Sequence, residues 1–301
     1  MISYLDMARA RTYEYLDYSL FSRKYVDVRY GDIEREKLDI FLPSEGEGPF
    51  PVILQVTGGG FIYGDKSMKK MQGTFSTIVE NGFALVSMNY SLSDFEKYPV
   101  PIWQVKRAIR FLRTHSGEYN LDTRNLFLYG NSAGGYLVMM TALTDERDPY
   151  FNGNDSNGRA GDLSVDTHVS GVATIYGVTG FDGNEEKLLA LGLEPRYIEK
   201  GIESTGGFFL GKDPDKSPEL AAQANVLNHI RPDHPPIVIQ HGRDDHTVSP
   251  LHSYMLAEAL LRVGGEPIMT CYYDGLDHSD RYFKSVENTT KILYFFRQFI
   301  R

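Results

Sequence analysis

A single cysteine, Cys271, occurs in the 301 residues. No disulfide can close within the chain, a reducing compartment is acceptable, and a cytoplasmic location is expected. Cys271 lies in the apolar run Ile268–Tyr273, so it reads as a buried strand residue and not as a nucleophile. No apolar run approaches the roughly 20 residues that cross a bilayer, so no membrane partner is expected. The start, Met1-Ile2-Ser3-Tyr4-Leu5-Asp6, has no basic stretch leading into an apolar one, so no secretory leader is expected. Clusters of Lys and Arg are missing too. The 31 basic residues stand against 40 acidic ones, a formal net charge of −9, which argues against nucleic acid or another polyanion as partner. Residues 145–162 are rich in Gly, Asn and Asp and faintly resemble a calcium loop. The glycine is out of place and no Glu closes the loop, so a surface insertion is expected there and no metal site.

What is present is an alternation of short apolar runs with longer periodic segments. Residues 4–21 place Leu5, Ala8, Tyr15, Leu16 and Leu20 at helical spacing, predicting an amphipathic N-terminal helix or pair of helices. Residues 25–30 and 37–42 alternate and predict two antiparallel strands. Further strands are expected at 51–56, 83–90, 126–129, 169–176, 235–242 and 268–273. Helices are expected at 73–80, 101–113, 136–143, 250–263 and 286–301. In the second of these, Ile102, Val105, Ala108, Ile109 and Leu112 share a face, with basic residues opposite. Residues 177–228 are less regular. Strands that alternate with helices imply a mostly parallel sheet covered on both faces, an α/β fold. No repeat or linker divides the chain, so residues 1–301 are expected to form one domain. Residues 1–22 and 177–228 are the segments available for a small cap.

The stretch that carries chemistry is Gly130-Asn131-Ser132-Ala133-Gly134, between a strand and a helix. A serine on such a turn projects its hydroxyl into open space. The flanking glycines let strand and helix approach, and the helix N-terminus offers free N–H groups to a developing oxyanion. A second signal is Thr57-Gly58-Gly59-Gly60-Phe61 at the end of a strand, where α/β sheets keep their sites.

Serine needs a base within hydrogen-bond reach and an acid to hold that base. Of eight histidines, His278 follows the last strand, at the sheet edge where Ser132 emerges. His241 ends a strand and reads as a turn anchor, while His246 and His252 are placed at the start of a helix and inside it. The acid is expected after the penultimate strand, in His241-Gly242-Arg243-Asp244-Asp245. Asp245 is preferred, with Asp244 as the alternative. Asp274, Asp277 and Asp280 are expected to face solvent.

With the order Ser132, Asp245, His278, the chain resembles the α/β-hydrolase fold. It looks most like the hormone-sensitive-lipase-like branch and its bacterial relatives, small carboxylesterases of feruloyl- or acetyl-esterase type. The resemblance covers residues 26–301. It rests on the two glycine motifs with Gly135, on Asn89-Tyr90-Ser91-Leu92-Ser93, on His241 to Asp245 with Val248, and on Gly275-Leu276-Asp277-His278. It implies that the N–H groups of Gly59, Gly60 and Ala133 form an oxyanion hole, each donor worth on the order of 3 kcal/mol in the transition state. Thr57 stands where the family's His-Gly-Gly-Gly motif has histidine, and a threonine hydroxyl could brace the loop in a similar way. Gln104 stands where relatives often carry Asp.

The expected function is cleavage of small carboxylic esters, with short acyl or sugar- or aryl-linked groups, through an acyl-enzyme. Neither a metal nor an organic cofactor is expected. The alternatives are a non-catalytic protein of the same fold that binds a ligand or partner and, among enzymes, a peptidase. The oligomeric state is left open, a homodimer included.

Overall fold

A computed structural model of the chain describes residues 4–144, 147–152, 161–197 and 199–301. β1 (Arg23–Arg29) and β2 (Lys37–Leu42) form the predicted antiparallel hairpin. They are followed by β3 (Phe50–Val56), β4 (Ala84–Met88), β5 (Leu121–Asn131), β6 (Gly171–Ile175), β7 (Ile237–Gly242) and β8 (Ile268–Tyr273). The sheet order is β1-β2-β4-β3-β5-β6-β7-β8. β2 pairs antiparallel with both neighbours, and all the other pairs are parallel.

The helices are α1 (Tyr4–Arg9), α2 (Gln72–Glu80), α3 (Val100–Thr114), α4 (Ala133–Leu143), α5 (Asn184–Leu189), α6 (Thr205–Leu210), α7 (Pro218–Gln223), α8 (Leu251–Val263) and α9 (Val286–Arg297). Successive strand residues point to opposite faces, and the core divides accordingly. Val52, Leu54 and Leu128 pack with Ile109 of α3, Tyr136 of α4 and Leu260 of α8. Ile53, Phe127 and Val238 pack with Phe75 of α2 and Ile292 of α9. The helices that follow β3 and β5 therefore lie on opposite faces of the sheet. The loops leaving these adjacent strands diverge and open a crevice at their carboxyl ends.

Several expectations need correction. Residues 4–21 are α-helical only over α1, with one short 3-10 turn at Tyr18–Leu20. Between the two the chain is non-helical, with Leu16 N–H bonded to Ser67 O at 2.7 Å and Lys69 N–H bonded to Glu14 O at 2.8 Å. Backbone pairing with residues 67–69 overrides the helical spacing. The basic residues opposite the apolar face of α3 lie where expected, but Lys106 and Arg110 are themselves buried. Lys106 Nζ donates to Thr144 O, and Arg110 Nε donates to Val165 O at 2.9 Å, so the chain after α4 covers them. Cys271 is only half-buried, because β8 is the margin of the sheet. His246 precedes α8 in a turn, its Nδ1 2.8 Å from Glu194 O. Most of the proposed surface insertion, residues 145–146 and 153–160, lies outside the described residues. Among the described residues no helix is long and apolar enough to cross a membrane.

His252, in the first turn of α8, pins the loop after β6. Its Nδ1 accepts the Thr179 N–H at 3.2 Å and lies 2.9 Å from Thr179 Oγ1. An acceptor at Nδ1 requires a neutral ring, and burial first, then the positive charge of Lys187, lowers its pKa to about 3. Between about pH 6.5 and pH 3 the unfolded chain binds a proton here that the folded chain does not. Stability from this residue is thus lost on acidification, at about 1 kcal/mol per pH unit. His252→Asn keeps an acceptor without titrating. Urea unfolding at about pH 7 and pH 4.5 should show the variant losing about 2 kcal/mol less than the wild type; equal losses would remove His252 from the account.

Candidate active site

The crevice is built from backbone contacts. Ser132 turns from β5 into α4 with φ 53° and ψ −123°, a left-handed conformation that few side chains adopt. The turn holds because its neighbours lack side chains. A Cβ on Gly130 would lie 2.2 Å from Gly134 O, and one on Gly134 would lie 2.0 Å from Val56 O. The Ser132 N–H donates to Ile175 O at 2.9 Å, fixing the turn to β6.

The second wall is the turn that leaves β3. Gly59 and Gly60 have φ 137° and 59°, and the N–H groups of Ile62 and Tyr63 both close onto Gly59 O at 3.1 Å. Thr57 Oγ1 accepts from Gln55 Nε2 at 3.2 Å, so its hydroxyl turns into the sheet. Loop bracing comes from other residues. Tyr90 Oη donates to Thr57 O at 3.1 Å, and Arg35 Nε and Nη2 donate to Tyr90 O and Gly64 O, each at 2.9 Å. Gln104 braces the adjoining loop, its Oε1 accepting the Ser91 N–H at 2.8 Å. Among the described residues the N–H groups of Gly59, Gly60 and Ala133 donate to no protein acceptor.

The loops after β7 and β8 lock together. A Cβ on Gly242 would lie 2.1 Å from Leu276 O. Asp244 Oδ2 accepts the Gly275 N–H at 2.6 Å, so Asp244 closes this junction. Asp245 turns the other way and is fully buried. Its Oδ1 accepts the N–H groups of Thr247 and Val248 at 2.9 and 2.8 Å. Its Oδ2 accepts from His278 Nδ1 at 2.7 Å and faces His241 Nε2 at 3.2 Å. Burial alone would raise the Asp245 carboxyl, but His278 and His241 together hold it well below the usual carboxylate range. The Ser132 hydroxyl donates to His278 Nε2 at 3.0 Å.

The structure thus brings Ser132, His278 and Asp245 into one hydrogen-bonded line, with Gly59, Gly60 and Ala133 around the serine. Two further residues belong to this arrangement and were not assigned to it from the sequence. His241 donates from Nε2 to Val248 O at 3.1 Å and its Nδ1 lies 2.6 Å from Ser253 Oγ, which seats it behind Asp245. Asp277 does not face solvent as expected. It accepts the N–H groups of His278 and His246 at 2.6 and 3.1 Å and pairs with Arg196. The His241-Gly242 pair ending a buried strand was a usable signal for the first; nothing local distinguished Asp277 from its neighbours.

Two cavities meet at Ser132. The larger, about 530 Å³, reaches His278, Ser279, Tyr63, Arg11 and Lys70. The smaller, about 310 Å³, reaches Ala133, Gly60, Phe61, Phe181 and Glu199. Tyr4 of α1 lines both and packs so tightly on the glycine turn that a Cβ on Gly60 would lie 2.3 Å from its ring. Its ring also meets Tyr197 edge-on at 5.1 Å.

Sheet order, helices on both faces and a serine on the turn after β5 define an α/β-hydrolase fold. The chain belongs to the BD-FAE family, whose model matches residues 38–260. It is 27% identical over 275 residues to a probable isoprenylcysteine alpha-carbonyl methylesterase of Arabidopsis thaliana, covering 89% of this chain and 54% of that protein. It is 29% identical over 248 residues to a probable carboxylic ester hydrolase, LipM, of Mycobacterium tuberculosis, covering 81% of this chain and 53% of that protein. The chain therefore spans about half the length of these relatives. A truncated carbohydrate esterase from gut microbiota superposes with a TM-score of 0.81 at 22% identity, over 95% of this chain and 99% of that one, a likeness of fold.

Glycine geometry gives a direct test. A Cβ on Gly59 would lie 2.0 Å from Tyr63 O, whereas Gly82, at φ 83°, has open space around it. Gly82→Ala should cost about 1 kcal/mol from backbone strain alone, and Gly59→Ala at least about 2 kcal/mol more. Equal losses in urea unfolding would mean that the glycine turn yields without resistance.

Proposed function

We propose that the chain is a serine hydrolase of small carboxylic esters. The observation that carries this reading is the unbroken hydrogen-bond line from Asp245 through His278 to Ser132, beside three backbone N–H groups that have no acceptor among the described residues. In this reading His278 Nε2 takes the Ser132 proton as Oγ attacks the ester carbonyl. The carbonyl oxygen becomes an oxyanion held by the N–H groups of Gly59, Gly60 and Ala133. Collapse of the tetrahedral species breaks the ester C–O bond, and the imidazolium delivers its proton to the departing alcohol. Water, deprotonated by His278, then releases the acid from Ser132. Asp245 keeps the Nδ1–H tautomer and stabilises the imidazolium, while His241 positions Asp245.

The smaller cavity, floored by Phe61 and Phe181, favours a short acyl group. Tyrosines 4, 63, 176 and 197 in the larger cavity suit a sugar or aryl alcohol, in keeping with the carbohydrate esterase of like fold. We further propose that residues 1–22 and 177–228 act as a small cap on a single hydrolase domain, since Tyr4 and Tyr197 meet over the serine. The single cysteine suits a reducing compartment, and we place the protein in the cytoplasm.

A fluorophosphonate probe should label Ser132 in the wild type and not in His278→Ala, as read by peptide mapping. Ser132→Ala should abolish hydrolysis of para-nitrophenyl acetate, and Asp245→Asn should lower kcat by roughly 1,000-fold or more. An unlabelled, folded wild type would overturn the reading.

A further inference from the structure

The larger cavity is lined by an excess of basic residues in a chain whose net charge is −9. Four basic residues line it, Arg11, Lys69, Lys70 and Arg196, against one acid, Glu14. Two of the four are neutralised, Lys69 by Glu14 at 2.5 Å and Arg196 by Asp277. Arg11 and Lys70 pair with no carboxylate among the described residues. Instead they share one ring: the Arg11 guanidinium and the Lys70 ammonium lie 5.2 and 5.5 Å from the Tyr63 centroid. Arg11 Nη1 also donates to Tyr63 Oη at 2.7 Å.

Two like charges against one ring, without a counter-ion, raise each other's energy. Lys70 is solvent-accessible and lines the cavity. Burial of its ammonium first, then the Arg11 charge, lowers its pKa to about 8. Just beyond it, Lys284 is also lowered to about 8, by burial and then by Lys70. Its ammonium is held by the carbonyl oxygens of Ser279 and Asp280 and by Ser279 Oγ. An anion placed between Arg11 and Lys70 would relieve this repulsion.

Position assigns that anion to one part of the substrate. Tyr63 closes the glycine turn through its N–H to Gly59 O, so the cations ride on the loop that carries the proposed oxyanion donors. His278 lines the larger cavity, whereas Ala133 and Gly60 line the smaller. The imidazolium must hand its proton to the departing oxygen, so the leaving alcohol occupies the His278 side and the acyl group the other. We propose that Arg11 and Lys70 form a subsite for an anionic leaving alcohol, one bearing a carboxylate or a phosphomonoester. The assignment to the alcohol side rests on the hydrolase reading; the anion site itself does not.

Matched acetate esters test it: para-acetoxybenzoate, para-acetoxyphenyl phosphate and the neutral para-acetoxybenzamide. In the wild type at low ionic strength, kcat/KM for at least one anionic ester should exceed that for the amide by about tenfold. The faster of the two anionic esters identifies the anion. The ratio should fall several-fold in Lys70→Gln and in Arg11→Gln, and between about 0.02 M and 0.5 M salt. A ratio near one in the wild type, or one that neither substitution moves, would overturn the subsite. Calorimetry with Ser132→Ala separates it from the hydrolase reading. There para-hydroxybenzoate or para-hydroxyphenyl phosphate should bind about tenfold more tightly than para-hydroxybenzamide. A chain that hydrolyses none of the esters but shows this preference keeps the anion site and loses the reaction. A chain that hydrolyses all three alike and binds all three products alike loses the subsite alone.

Discussion

Backbone meets backbone around Ser132 with no room for a methyl group, and the site depends on that closeness. β3, β5 and α4 converge where a Cβ on Gly58, Gly130 or Gly134 would lie only 2.0 to 2.4 Å from a carbonyl oxygen. Only with those side chains absent can the N-terminus of α4 come beside the turn leaving β3. That approach brings Gly60 and Ala133 into the lining of one cavity at Ser132, with Gly59 lining the other. The cost is a serine at positive φ, held by α4 packing and by the bond from Ser132 N–H to Ile175 O.

The partners of that serine come from a second interlock at the other side of the sheet. Asp244, Gly242 and Asp277 fasten the loops after β7 and β8 to one another. This leaves Asp245 free to turn inward, where His241 and two backbone N–H groups fix it. Arg196 joins residues 177–228 to the same knot through Asp277. The proposed cap segment and the histidine loop are therefore joined by this ion pair.

Much of this was legible in the sequence because it rests on local signals. Period-two apolar runs locate the strands, and glycines at strand ends mark the turns. The order of Ser132, Asp245 and His278 follows from where those strands end. What was not legible depends on long-range pairing. The N-terminal segment carries helical spacing, yet its backbone bonds to residues 67–69. Lys106 and Arg110 look like surface charges, and only the chain folding back over α3 buries them. Asp277 is one of several acids near His278, and its role comes from Arg196, 81 residues away in sequence. The loop brace expected of Thr57 is provided by Tyr90 and Arg35, which sequence proximity does not connect to it.

His278 follows β8, and β8 is the margin of the sheet, pairing among the described strands with β7 and half-exposed along its length. Ser132, by contrast, follows the fully buried half of β5, between the buried strands β3 and β6. The two halves of the proposed proton relay are therefore anchored at very different depths. Marginal elements open at lower free-energy cost than the centre of a sheet. On warming, the histidine would part from the serine while the sheet stays intact. Activity would then fade, reversibly, over a temperature range in which the protein still counts as folded.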